Sequence, residues 1–448
     1  MNPITPAPMM MDDPWWLIAI KVVGVFVLLL TWTIFNVWFE RRVIAKMQNR
    51  LGPIMHGPFG LGQAMADGVK LLFKEDFRPA RTDALVYNLG PIITAICAFA
   101  SWAVIPLGGE VTIFGHVTRL QITDLPVAVL LILAIAGTGF YGVVLAGWSS
   151  NGTYSLLGSM RATAQVISYE VAMGLSLVAV FMFSSSMSTE QIVMAQQKPL
   201  QLFGFDIPLP SWYALVLLPS FVIYVISMFG ETNRLPFDMA ECESELVSGH
   251  ITDYSGFRYA MYFLAEYINM ATVSAVATTL FLGGYGAPWP FNQIEVLNGG
   301  WMGLVWFILK VQLCIFFFVW VRGALPRFRY DQFMKLGWKV LIPFNLAWIT
   351  ALALYRGALV NGWSFTSPAF LIAVGILLVI ILAVVWFSSD RDDIHPDGAV
   401  IATDDPEEFD AFAGGYPVPP MPGTKTVVSS EATNERPKRA ATMNGVDL

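Results

Sequence analysis

Cysteine is scarce in this chain of 448 residues: Cys97, Cys242 and Cys314 stand far apart. They form no CxxC pair, iron–sulfur ligand set or disulfide framework, so redox chemistry at this chain has to borrow electrons from another. Histidine is as thin, and His56, His116, His250 and His395 make no metal-ligand spacing. Charged residues amount to 13% against 56% hydrophobic ones, which excludes a soluble globular enzyme and points to a polytopic membrane protein. No Lys or Arg precedes Lys21, so the basic start of a secretory signal is lacking and the first apolar run is expected to be retained. No long-period repeat or inverted duplication argues for a two-halved transporter.

What is present is a series of apolar runs of about 20 residues. They place candidate spans at Trp15–Phe39, Leu85–Leu107, Asp124–Ala146, Ala162–Phe183, Trp212–Phe229, Tyr259–Leu282, Trp301–Val321, Val340–Val360 and Ala369–Phe387. The fold class is therefore all-α, a membrane bundle of about nine transmembrane helices with long cytoplasmic loops. The segments 40–83, 147–161, 230–258 and 322–339 carry sixteen Lys and Arg, whereas the alternate connections carry only Arg119, Lys198 and Arg356. By the positive-inside rule the first set is cytoplasmic and residues 1–14 are external. Residues 389–448 hold twelve acids and five bases, the whole net charge of −7. They read as a disordered cytoplasmic tail appended to a membrane body at 15–388. Trp15, Trp16, Trp212, Tyr213 and Trp301 suit interfacial anchors. Pro91, Pro219 and Pro343 fall inside apolar runs and invite kinks. Lys310, within its span, is expected to face the protein interior.

The third cytoplasmic loop, GETNRLPFDMAECESELVSGHITDY from Gly230 to Tyr254, is dense in carboxylates with one basic residue. If the chain is helical from Met239, Glu241 and Glu245 share a face and Asp238 stands three before Glu241. Adjacent like charges do not all ionise cheaply, so at least one is expected to hold its proton toward neutrality. Glu231, Asp253 and Glu266 bracket the cluster, while Glu243 points elsewhere. A solvated acidic face that binds nothing is the alternative. Upstream, Glu170 sits inside a span with Arg161, Gln165 and Tyr169 as candidate partners, either hydrogen-bonded for structure or part of an ion path. In the first loop, Leu61 to Phe73 is amphipathic, with Asp67, Lys70 and Lys74 expected on the wetter side. Arg322, Arg327, Arg329, Lys335 and Lys339 make the fourth loop basic, open to anionic lipid, an acidic partner or the third-loop carboxylates.

Four segments carry a family resemblance: ERRVIAKMQNRLGP with GPFGLGQAMADGVKLLFKE, SYE after GWSSN, ETNRLPFDMAECESELVSG followed by DYSG, and RGALPRFRYDQFMKLGWKVLIPFN. Together they resemble the H-subunit family of bacterial proton-translocating NADH:quinone oxidoreductase, the mitochondrial subunit 1 family of respiratory complex I. The resemblance runs from about Trp15 to Val360 in the expected order. Asp253 stands where the family usually has Glu in its EYSG motif, and Ile54 follows Pro53 where the first loop commonly reads GPN.

The resemblance implies a subunit that forms much of the quinone tunnel and couples quinone reduction to proton translocation. It implies multi-pass placement in the bacterial plasma membrane, quinone (ubiquinone or menaquinone) as substrate, and no metal or iron–sulfur cluster in this chain. Iron–sulfur and quinone-site subunits of the peripheral arm, and neighbouring membrane-arm subunits, are the implied partners. Glu40, Arg41, Gln48, Arg50, Phe59, Gln63, Arg234, Phe237 and Asp238 would line or shape the quinone path. Asp67, Glu170, Glu231, Glu241, Glu243, Glu245, Asp253 and Glu266 would form the acidic chain, and Arg322, Arg327, Arg329 and Lys335 would dock the peripheral subunits. The equivalent subunit of a membrane-bound hydrogenase or another quinone reductase, a stand-alone ion transporter and a structural anchor are the rival readings.

Overall fold

The computed structural model describes residues 13–202, 205–240, 243–294, 298 and 300–361. The span expected at Ala369–Phe387, the acidic tail and almost all of the 1–14 segment lie outside the described residues.

Helix dominates. Helix α1 (Trp15–Met47) is 33 residues long, about 50 Å at 1.5 Å per residue, against a hydrocarbon layer of roughly 30 Å. Its last turns therefore outrun the apolar layer and carry Glu40, Arg41 and Arg42, which apolar run length alone places in a loop. Helix α2 (Gly62–Phe73) follows, then α3 (Ala84–Ala100), α4 (Ala128–Ser149) and α5 (Thr153–Ser184). The 32 residues of α5 absorb most of the second expected loop in the same way. After α6 (Thr189–Gln196) the fifth expected span is broken: α7 (Tyr213–Val216) stops at Leu217, whose φ −111 and ψ 44 leave the helical region, and α8 (Leu218–Glu231) restarts with Pro219 in its first turn. There the missing N–H costs nothing, so Pro219 starts a helix instead of kinking one. Next come α9 (Glu243–Leu246), α10 (Gly256–Phe281), α11 (Met302–Ala324), α12 (Tyr330–Lys335) and α13 (Ile342–Asn361). A π-helical stretch, Leu336–Leu341, joins the last two directly ahead of Pro343, which has no N–H for the ordinary ladder. Two antiparallel hairpins that periodicity does not disclose complete the elements, β1 (Gly108–Ile113) with β2 (His116–Leu120) and β3 (Pro199–Leu202) with β4 (Phe205–Pro210).

Among the described residues, six helices are long and apolar enough to cross a membrane, the longest being α1 and α5. Helix α10 is not one of them, although it runs through the middle of the bundle. Every residue from Met270 to Phe281 is buried, so Thr272, Ser274, Thr278 and Thr279 never meet lipid and the helix has no need of a uniformly apolar sequence. It packs on α3, α11, α1 and α8, while α5 packs on α4, α8 and α13.

Of the expected interfacial anchors, Trp15 and Trp301 are exposed, but Tyr213 is buried in the core. Lys310 does face inward: its ammonium donates to the carbonyls of Leu282, Gly284 and Gly286 at 2.6, 2.9 and 2.8 Å. It lies 4.8 Å from the Trp212 ring centroid, a carbonyl cage that compensates a buried cation.

Candidate functional site

The third loop is held from below by α5. Gln165, fully buried, donates its amide to the carbonyls of Gly230 and Phe237 at 2.8 and 2.9 Å. The Tyr169 ring packs against Gly230, where a Cβ would stand 2.5 Å from Cγ of that ring, and stacks on Phe333 at 4.2 Å. Tyr169 Oη donates to the Phe333 carbonyl at 3.1 Å, and Phe328 N donates to the Pro236 carbonyl at 3.1 Å. The third and fourth loops are thus pinned to one another through aromatic packing, with Phe237 as part of that packed core.

This scaffold presents Arg234 to the end of α1. Its Nη1 donates to both Glu40 carboxylate oxygens at 3.1 and 3.2 Å, and its Nε lies 2.8 Å from Glu266 Oε1 of α10, an ion pair without hydrogen-bond alignment. Tyr267 Oη donates to Glu40 Oε2 at 2.8 Å, and its ring lies under the guanidinium at 4.5 Å. Arg322, expected to dock a partner, is a further ion-pair partner of Glu40 while its side chain stays 39% exposed. The cluster therefore balances two carboxylates with two guanidinium groups in a site where Glu40 and Arg234 are almost wholly buried. Burial lowers the Arg234 pKa, but Glu266 and Glu40 outweigh it and leave the group well above its ordinary value. Arg234 Nη2 is also buried and has no partner. Asp238, half-buried, lies within electrostatic reach of Glu266.

Beyond Glu266 a narrow cavity runs between α3, α4, α10 and the third loop, with Thr94, Glu231, Asn233, His250 and Glu266 on its wall. It offers about 110 Å³, room for several waters at roughly 10–15 Å³ each. Glu231 Oε2 and His250 Nδ1 are buried there without partners. Glu170 lies against the Gly137 backbone of α4, its Oε1 3.1 Å from where a Cβ would stand, and within electrostatic reach of Glu231. The partners expected for Glu170 are engaged elsewhere: Arg161 pairs with Glu245 at 2.6 Å, and Gln165 and Tyr169 hold the loops.

Residues 20–353 match the family model described as NADH dehydrogenase. The chain belongs to that family. It is 65% identical over 413 residues to the H subunit of NADH-quinone oxidoreductase from Cutibacterium acnes, covering 92% of each chain. It is 50% identical over 415 residues to the protein of the same name from Streptomyces avermitilis, covering 92% of this chain and 88% of that one.

In this member of the NADH dehydrogenase family the remaining expected residues fall into three groups. At the α1–α2 edge, Arg41 pairs with Asp67 at 2.7 Å and Gln63 donates to Asp67 at 3.2 Å. Asp67 thus pairs at a partly exposed edge, its side chain 31% exposed, while Met65, Val69, Leu72 and Phe73 are exposed. Gln48 accepts from Arg50 at 2.7 Å on an exposed turn, and Phe59 is 70% exposed. In the third loop, Met239 and Ala240 are not helical and α9 has only four residues, so the helical face expected from Met239 is not formed there. Glu241 and the Glu243 side chain lie outside the described residues. Asp253 is half-buried with its Oδ2 3.0 Å from where a Gly152 Cβ would stand, and burial raises its pKa. In the fourth loop Arg329 lies 3.8 Å from Asp331 at the surface and Lys335 is exposed, while Arg327 is half-buried. Among the described residues no three His, Cys, Asp or Glu side chains gather as metal ligands do.

Sequence reasoning missed Tyr267, Arg322 as a partner of Glu40, and His250. The first two carry no local signal, because their partner is 227 and 282 residues away.

Proposed function

We propose that the chain is the membrane subunit of an NADH-quinone oxidoreductase in which a buried charge cluster at the quinone end is continuous with a row of acids leading into the bundle. The observation that carries this reading is the run Glu40–Arg234–Glu266, followed by Glu231 on the cavity that Glu266 lines and then by Glu170 within electrostatic reach of Glu231. Family membership and the names of the two relatives support an NADH-quinone oxidoreductase reaction, in which partner subunits oxidise NADH and the quinone is a ubiquinone or a menaquinone.

Reducing a quinone consumes two electrons and two protons, and charge appears near the headgroup when they arrive at different times. The Glu40–Arg234–Arg322 cluster is suited to feel that change, because in a low-dielectric site an added charge acts strongly on its neighbours. Arg234 Nη2 offers a donor to a carbonyl oxygen. Coupled acids then redistribute protons as a set, through waters the cavity can hold, toward Glu231 and Glu170. Glu245, at the surface on Arg161, and half-buried Asp253 stand on the loop side of the same chain. Arg41, Gln48, Arg50, Phe59 and Gln63 shape the mouth, and Arg327, Arg329 and Lys335 meet the peripheral iron–sulfur and quinone-site subunits. The basic loops lie in the cytoplasm and the N-terminus outside, with 15–388 as the membrane body and 389–448 as its cytoplasmic tail.

Glu231→Gln in membranes containing the whole complex tests the reading. Proton pumping and NADH:quinone activity are expected to fall together, with the complex assembled. Full pumping alongside full activity in that variant and in Glu245→Gln refutes the acidic chain.

A further inference from the structure

His250 sits in a tight 3-10 turn, Gly249–Ile251, pressed onto the first turns of α5. Gly158 permits the approach: a Cβ there would stand 2.6 Å from Gly249 Cα and 3.0 Å from His250 N. Ser155 Oγ donates to the His250 carbonyl at 3.2 Å, and the Tyr262 ring meets the imidazole edge-on at 5.6 Å. Backbone and ring face are therefore fixed without using Nδ1. The residue is 7% exposed and lines the cavity that Glu231 and Glu266 also line, and its Nδ1 is shielded from bulk solvent and without a hydrogen-bond partner.

A histidine kept for packing has its buried nitrogens met by protein groups, since an unmet polar atom costs roughly 1–3 kcal/mol. A nitrogen left open onto a polar cavity with room for water has another use. Neutral imidazole presents one donor and one acceptor nitrogen. It can take a proton on one nitrogen and release one from the other, ending each transfer with the number of protons it began with. An acid at this position would add a third carboxyl to a cavity that already holds Glu231 and Glu266, and like charges resist ionising together.

We propose that His250 is a proton relay in this cavity, passing protons through its waters between Glu266 and buried Glu231, the two acids that line it with His250. The inference rests on the proton-coupling reading given above. It adds a nitrogen link to a path otherwise made of carboxyl groups.

The test uses membranes bearing the assembled complex with His250→Phe, His250→Gln or Glu231→Gln. Phe keeps the ring and its edge contact with Tyr262, whereas Gln keeps polarity but takes up no proton at working pH. NADH oxidation by an artificial acceptor measures how much complex is present. For that amount, His250→Phe is expected to pump about a hundred-fold more slowly, the low end of what placed proton-transfer groups contribute, and with a larger solvent deuterium isotope effect. His250→Gln is expected to shift both readouts the same way, and decides the matter if the Phe variant does not assemble. Parental pumping with a parental isotope effect overturns the relay. Glu231→Gln separates the two readings: if it stops pumping while the His250 variants pump normally, only the His250 role fails, and if it and Glu245→Gln also pump normally the acidic chain fails with it.

Discussion

The balance of the Glu40 cluster predicts an unequal response to removing its members. Neutralising Glu40 as Glu40→Gln leaves Arg234 and Arg322 with Glu266 as the acid still paired to the cluster. Neutralising Arg234 as Arg234→Gln leaves Glu40 and Glu266 with Arg322. Each change unbalances the site by one charge, but the two are not equivalent. A carboxyl can meet an unbalanced field by binding a proton, whereas a guanidinium has no neutral form at any working pH. Breaking a buried pair by removing one partner costs about 3–5 kcal/mol. Glu40→Gln belongs near the lower end, because the Arg322 side chain is 39% exposed and can turn to water. Arg234→Gln is expected to cost less, roughly 1–3 kcal/mol, the cost of leaving buried polar groups unmet. The assay is thermal loss of NADH:quinone activity from detergent-purified complex, with subunit content followed in parallel. Glu40→Gln should lower the midpoint more than Arg234→Gln at pH 7, and acidification should narrow the deficit of Arg234→Gln alone. The reasoning is refuted if Arg234→Gln is the more damaging change, or if both match the parent.

Gly230→Ala drives a methyl into the Tyr169 ring and is expected to cost about 1–3 kcal/mol through overpacking, read as a lower yield of assembled complex; a parental yield would show that the ring can move aside. Arg161→Gln breaks a pair whose side chains are 34% and 57% exposed, so its effect on thermal stability should stay below roughly 1 kcal/mol. His250 makes stability depend on pH. Burial holds its pKa at about 4 against an ordinary 6.5, so above 6.5 folded and unfolded chains both carry neutral imidazole. Between 6.5 and about 4 the unfolded chain binds the extra proton, and stability falls as pH is lowered, by up to about 1.4 kcal/mol per pH unit for this group. Tyr262, Glu231, Glu266 and Asp253 face or flank it. Thermal inactivation measured from pH 7 to 5 should therefore lose less with His250→Phe than with the parent, and identical slopes would count against a buried neutral imidazole.

Apolar run length locates eight helical regions within the described residues because hydropathy is a local property. It fails at their ends. The helices α1 and α5 continue past the apolar layer, where polar residues are compatible with helix but carry no periodic signal, so Glu40 reads as a loop residue. Helical spacing is likewise silent on the partner of Asp67: the amphipathic pattern of α2 is real, but Arg41, which pairs with it, lies in another helix. The same limit governs Glu170, whose neighbours on its own helix are the only partners a sequence can offer. Gln165 and Tyr169 instead hold a loop about 65 residues away in the chain. The acidic loop is legible as chemistry and illegible as shape, since Met239 and Ala240 are not helical and Glu245 pairs with Arg161 of another helix. His250 has no sequence signal beyond a metal-ligand spacing that it does not meet, and only burial and the open cavity give it another role.

The wholly enclosed half of α10 has a mechanical consequence. Its surroundings are other side chains on all sides, so a bilayer that grows thinner or thicker presses first on the outer helices, whose tilt can adjust. The acid it carries just before that stretch, Glu266, is mounted on a post shielded from such strain. Lipid composition is thereby separated from the spacing of the inner charges, and the cluster around Glu266 can keep its register as the membrane around it changes.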